Sequence, residues 1–116
     1  MEIPKFDMDT PIGYLQDFQT EYDEQYLTHN KGDLSDIRHT LLHLIKLTGK
    51  LAIYVEQKEH GIDVSTEQLT NEAIPDLFLH AIHLANVFQL PIEALYQRRI
   101  EANIKRIEEE RQQKSS

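Results

Sequence analysis

From Leu34 to His60 the chain runs without a proline and with a single glycine, Gly49. Leu34, Ile37, Leu41, Leu44, Ile45, Leu47, Leu51, Ala52 and Val55 recur along it at short intervals, with the period of a helix and not of a strand. Their stripe is broad, as in helices buried between other helices. A helix of that length spans roughly 40 Å, so the rest of a 116-residue chain must fold alongside it. The predicted class is all-α, a four-helix bundle. Asp33 and Asp36 suit the start of this helix as cap and first-turn acid, and Gly61 suits its end as a left-handed cap.

The flanking segments agree with that class. Asp9-Thr10-Pro11 predicts a helix start, followed by Ile12, Leu15, Phe18, Tyr22 and Tyr26 on one face and Gln16, Asp17, Glu21 and Asp23 facing water, to about Gln25. His29-Asn30-Lys31-Gly32 breaks the pattern. After Gly61, residues 62–71 read as a connection with a short turn at Ser65 to Gln68, and Pro75 predicts that a third helix starts or kinks there and runs to Gln89. Leu90-Pro91-Ile92-Glu93 opens a fourth helix, whose apolar positions Ile92, Leu95, Tyr96, Ile100, Ile104 and Ile107 thin out into a charged end. The organisation expected is a lead-in over 1–10, one helical domain over 11–107 and a solvated, fraying tail over 108–116.

Composition narrows the function classes. Acids outnumber bases 20 to 12, for a net charge of −8, which opposes binding to nucleic acid and to anionic membranes. Cysteine is absent, so disulfides and thiolate metal sites are excluded. No apolar run reaches the roughly 20 residues of a membrane span, and the N-terminus carries no basic-then-apolar leader. A cytoplasmic protein is expected.

Two lysines one turn apart interrupt the long apolar stripe, in Leu44-Ile45-Lys46-Leu47-Thr48-Gly49-Lys50-Leu51. This stretch resembles the first motif of the MazG-like all-α nucleoside triphosphate pyrophosphohydrolases, Glu-Glu-x-x-Glu between Leu-Ile and Gly-x-Leu. Ala73-Ile74-Pro75-Asp76 corresponds to the family's Glu-x-x-Asp, and Leu84-Ala85-Asn86, Leu90-Pro91-Ile92-Glu93-Ala94 and Asn103-Ile104-Lys105-Arg106 follow as in the family. The likeness runs from Ile12 to Arg106. It implies a MazG-like four-helix bundle that assembles as a homo-oligomer, a dimer or higher, and a magnesium site built from the acids of both motifs, where water cleaves a triphosphate to monophosphate and pyrophosphate.

At those positions this chain carries Lys46, Leu47, Lys50, Ala73 and Asp76. One acid and two lysines replace the family's acids, and an ammonium about 4 Å from a divalent cation is repelled by roughly 8 kcal/mol at an effective dielectric near 20. The leading expectation is therefore a relative that has lost magnesium-dependent catalysis and acts as a binding or scaffold protein, with no catalytic residue and no cofactor. An active pyrophosphohydrolase with a rearranged acidic site, drawing on Glu72 or Glu56 and magnesium, is the first alternative. Lys46 and Lys50, with Arg98, Arg99, Asn103 and Arg106 of the last helix, offer a phosphate- or nucleotide-binding set. They equally fit snorkelling side chains, with Lys50 paired to Asp76. The second alternative is a histidine metal site. His39 and His43 on the second helix and His80 and His83 on the third converge if those helices run antiparallel, and imidazoles suit zinc. Histidines hydrogen-bonded inside the bundle account for the same spacing.

Overall fold

A computed structural model describes residues 1–27 and 32–115, and of Gly32 and Asp33 the backbone alone. It is all-helical among these residues, with helices α1 (Ile12–Tyr22), α2 (Gly32–Glu59), α3 (Ile74–Val87) and α4 (Ile92–Ser115). Two wide π-type turns join this set, Asp23–Leu27 continuing α1 and Leu69–Ala73 leading into α3. The break expected at His29 to Lys31 lies outside the described residues, and Gly32, expected to belong to that break, is already in α2.

The helix ends show which local rules operate. Asp7, not Asp9, organises the entry to α1: the Asp9 N–H donates to its carboxylate at 2.9 Å, and the Asp7 N–H donates to Thr10 Oγ1 at 2.9 Å. Pro11 is then the residue preceding the helix and supplies no side-chain cap. At the far end of α2, Gly61 takes φ 75°, with its N–H on Lys58 O at 3.0 Å and the Ile62 N–H on Gln57 O at 2.9 Å. That pair of bonds is the Schellman closure for which glycine is preferred. The same closure ends α3, with Gln89 N–H on Asn86 O and Leu90 N–H on Ala85 O, but here the left-handed residue is Gln89, at φ 55°.

The π turn at Leu69–Ala73 explains how Pro75 is tolerated. The expected turn at Ser65 to Gln68 is the beginning of a continuous helical path, since helix is already present at Glu67, where the N–H is capped by Ser65 Oγ at 3.1 Å. A proline ring would collide with the carbonyl four residues back in a regular helix, and a wider turn relieves that clash. α3 itself begins at Ile74 with Pro75 in its first turn, as expected, and the wide turn leads the chain into it.

The tail expected to fray is helical to Ser115. Glu108 to Lys114 are nearly all strong helix formers, and Arg106 faces Glu110 one turn on at 4.0 Å. This helix buries none of its residues.

Packing is uneven. α2 lies along α3 and its preceding turn, α1 packs on α3, and α4 touches α1. Contacts across the first seam run Lys50 to Glu72, His43 to His80 and His83 to Asp36, so α2 and α3 are antiparallel. The lead-in is tied to α1 by Phe6, which meets Phe18 edge-on at 5.4 Å and Tyr14 at 6.2 Å. The radius of gyration is 17.9 Å, against about 13 Å for a compact domain of this length. Among the described residues only Leu47, Ala73, Ile82 and Ala85 are buried apolar residues, while Leu34, Ile37, Leu41, Leu42, Ile45, Ile53 and Val55 of α2 stay exposed. Among the described residues no helix is long and apolar enough to cross a membrane.

Candidate functional site

The α2–α3 seam carries the residues singled out in the sequence, and it divides into three parts. At one end lie the positions of the resemblance. Leu47 and Ala73 are core residues, 3% and 0% exposed. Lys46 is exposed, Lys50 and Asp76 are half-buried, and Lys50 Nζ pairs with Glu72 Oε2 at 3.2 Å. The expected Lys50 to Asp76 pair is not the one formed; Glu72, at the wide turn before Pro75, reaches the lysine. Asp76 instead acts on the imidazoles beside it, opposing the fall in the pKa values of His43 and His80.

In the middle, three of the four singled-out histidines touch. His39 Nε2 and His43 Nε2 are 3.1 Å apart, and the His43 ring stacks on His80 with centroids 4.7 Å apart and planes 26° from parallel. Burial first, and then the neighbouring imidazole of His39 and the ammonium of Lys46, hold His43 below its ordinary value; burial and then His43 do the same for His80. Both are therefore neutral at pH 7.

His83 belongs to the third part. It is 1% exposed, and its ring sits between two carboxylates, with Nδ1 at 3.1 Å from Asp23 Oδ2 and Nε2 at 3.6 Å from Asp36 Oδ1. Contact with Asp23 raises its pKa most, burial opposes this, and the charges of Asp23 and Asp36 add to the rise. The ring links three elements, the wide turn that continues α1, the start of α2, and α3. Asp23 is further held by Gln19 Nε2 at 3.1 Å and Asn86 Nδ2 at 3.0 Å. Gln16 extends the network, donating to Asn86 Oδ1 and to Leu90 O and accepting from the Ile92 N–H. A solvent-facing recess of about 230 Å³, lined by Asp23, Glu24, Asp36, His83 and Asn86, opens beside it.

The four-imidazole arrangement is thus split, because the two buried carboxylates draw His83 away from the other three. Among the described residues no group of three or more His, Asp or Glu side chains is disposed to hold a metal ion. The phosphate-binding set is split as well. Lys46 and Lys50 lie on the seam with α3, whereas Arg99, Asn103 and Arg106 belong to α4, which packs on α1. Arg98 and Arg99 flank their own shallow recess with Leu95 and Ala102.

Sequence reasoning placed Gln16 and Asp23 in water, and both are buried. It gave Asp36 a role only at the helix dipole and passed over Gln19 and Thr40. The signal was present: Gln16, Gln19 and Asp23 are spaced by three and four, a helical stripe of polar residues that an apolar-only count ignores. No family model, curated protein or solved structure matches this chain.

Proposed function

We propose that this chain is a MazG-like relative that has lost magnesium-dependent catalysis and acts as a helical scaffold, completed by association with a second copy of itself. The observation that carries this reading is the state of the positions where the resemblance expects acids. Two of them, Leu47 and Ala73, are core, and Lys50 is engaged by Glu72. A lysine-lined, partly filled seam offers magnesium the wrong charge and too few oxygens. Self-association rests on a second observation: the exposed stripe Leu34, Ile37, Leu41 and Ile45 on the helix that the small core leaves half covered. Fully burying each such side chain is worth about 1.5–3 kcal/mol, and a stripe of this kind favours an isologous pairing of like helices.

The test joins two measurements on the full chain. Light scattering after size exclusion should give a dimer or higher, and pyrophosphate release from a panel of nucleoside triphosphates with magnesium should stay at background. Magnesium-dependent turnover would overturn the loss of catalysis and favour a site rebuilt around Glu72 and Asp76. A monomer at all concentrations would remove the self-assembly. Replacing the four departed positions together, with Lys46→Glu, Leu47→Glu, Lys50→Glu and Ala73→Glu, should create magnesium binding if the resemblance is ancestral; no gain in a folded variant would count against it.

A further inference from the structure

The His39–His43 pair has a geometry that neither the scaffold reading nor the lost magnesium site explains. Two ligands bound to zinc at about 2.0–2.1 Å with tetrahedral angles lie roughly 3.3 Å apart. The two Nε2 atoms are 3.1 Å apart, and the residues are four apart on one helix, the spacing by which helical zinc sites present two imidazoles to one ion. We propose that His39 and His43 chelate a borderline transition-metal ion, zinc, nickel or copper, through their Nε2 atoms.

Two features of the surroundings serve such a chelate. The His80 ring stacked on His43 limits its rotation, so less side-chain freedom is lost on binding. The pair is half-buried and not sealed inside the bundle. Because no third His, Asp or Glu among the described residues completes the set, the site is a two-residue chelate. Imidazole donors favour copper over nickel and zinc and disfavour magnesium, which separates this site from the one the resemblance implies.

A competing account gives the same distance: a single N–H···N hydrogen bond between the two rings, worth about 1 kcal/mol net. The two differ in what happens when metal is supplied. Tag-free protein is titrated with zinc and with nickel by isothermal calorimetry, beside His39→Ala, His43→Ala and His60→Ala. The expected result is one ion per chain, affinity lower by about tenfold or more in each of the first two variants, and no change for His60→Ala. Absence of saturable binding, or equal affinity in all variants, overturns the proposal. Copper electron paramagnetic resonance on the wild-type chain provides a check independent of variant folding. Coupling to two imidazole nitrogens, with Nε2 perturbed in both rings by zinc in ¹⁵N spectra, upholds the chelate, and coupling to none overturns it. Failure here leaves the scaffold reading untouched, since that rests on magnesium and assembly.

Discussion

The α1–α3 contact and the outer face of α2 invert the usual arrangement of a small protein. Gln16, Gln19, Asp23 and His83 are buried between helices, joined on the α2 side by Asp36 and Thr40, while Leu34, Leu41, Leu42 and Ile45 are exposed. Of these, Gln16, Gln19 and Asp23 hydrogen-bond to one another or to Asn86, and buried polar groups paired in this way fix a unique geometry more than they add net stability. Exposed aliphatic stripes of this size add stability only when something covers them. The polar region therefore sets how α1, α2 and α3 sit within one chain, and the apolar region is left for what lies outside it.

The comparison breaks most decisively on the apolar side. Under the self-association proposed above, Leu41→Glu with Ile45→Glu should give a monomer in light scattering and abolish a cooperative thermal transition; an unchanged oligomer would show that this face is not the one used. On the polar side, Asp23→Ala removes the nearer of the two carboxylates at His83 and the acceptor of the Asn86 amide, and should cost about 3–5 kcal/mol in denaturant unfolding. A double-mutant cycle with His83→Gln should recover part of that loss, because removing both charges leaves neither stranded.

A titration sharpens the comparison further. The folded pKa of His83 is raised from its ordinary value of 6.5, so its stabilisation is fully present below 6.5 and is lost as pH rises through the folded value. His43 and His80 have lowered values, and their neutral forms are favoured by folding, so they destabilise as pH falls below 6.5. Raising the pH above 6.5 should then lower the melting temperature of the wild type, and His83→Gln should flatten that slope. The smallest effect belongs to Lys50→Ala: its partner Glu72 is half exposed, and the loss should stay below about 1 kcal/mol.

Helix content and order were legible because the apolar period and the prolines and glycines act locally. Gly61 as a left-handed cap needed nothing beyond its neighbours. The bulge before Pro75 and the left-handed Gln89 were not legible. The first depends on where the preceding turn begins, and the second on contacts from α1. The histidine spacing was readable along α2 and α3 separately, but the capture of His83 by Asp23 and Asp36 is a tertiary event. It required recognising Asp23 as buried, which an apolar-only count cannot do and only its spacing from Gln16 and Gln19 suggests.

Gln16 has a further consequence. Its amide donates to Leu90 O and accepts from the Ile92 N–H, bridging the turn where Gln89 reverses the chain. α4 follows that turn for 24 residues, a rod of roughly 36 Å at 1.5 Å per residue. A tilt of about 10° at its base would displace the far end by roughly 6 Å, about one helical pitch. One side chain on α1 thus works as the bearing of a long pointer, and anything that grips or frees that amide is magnified at Ser115.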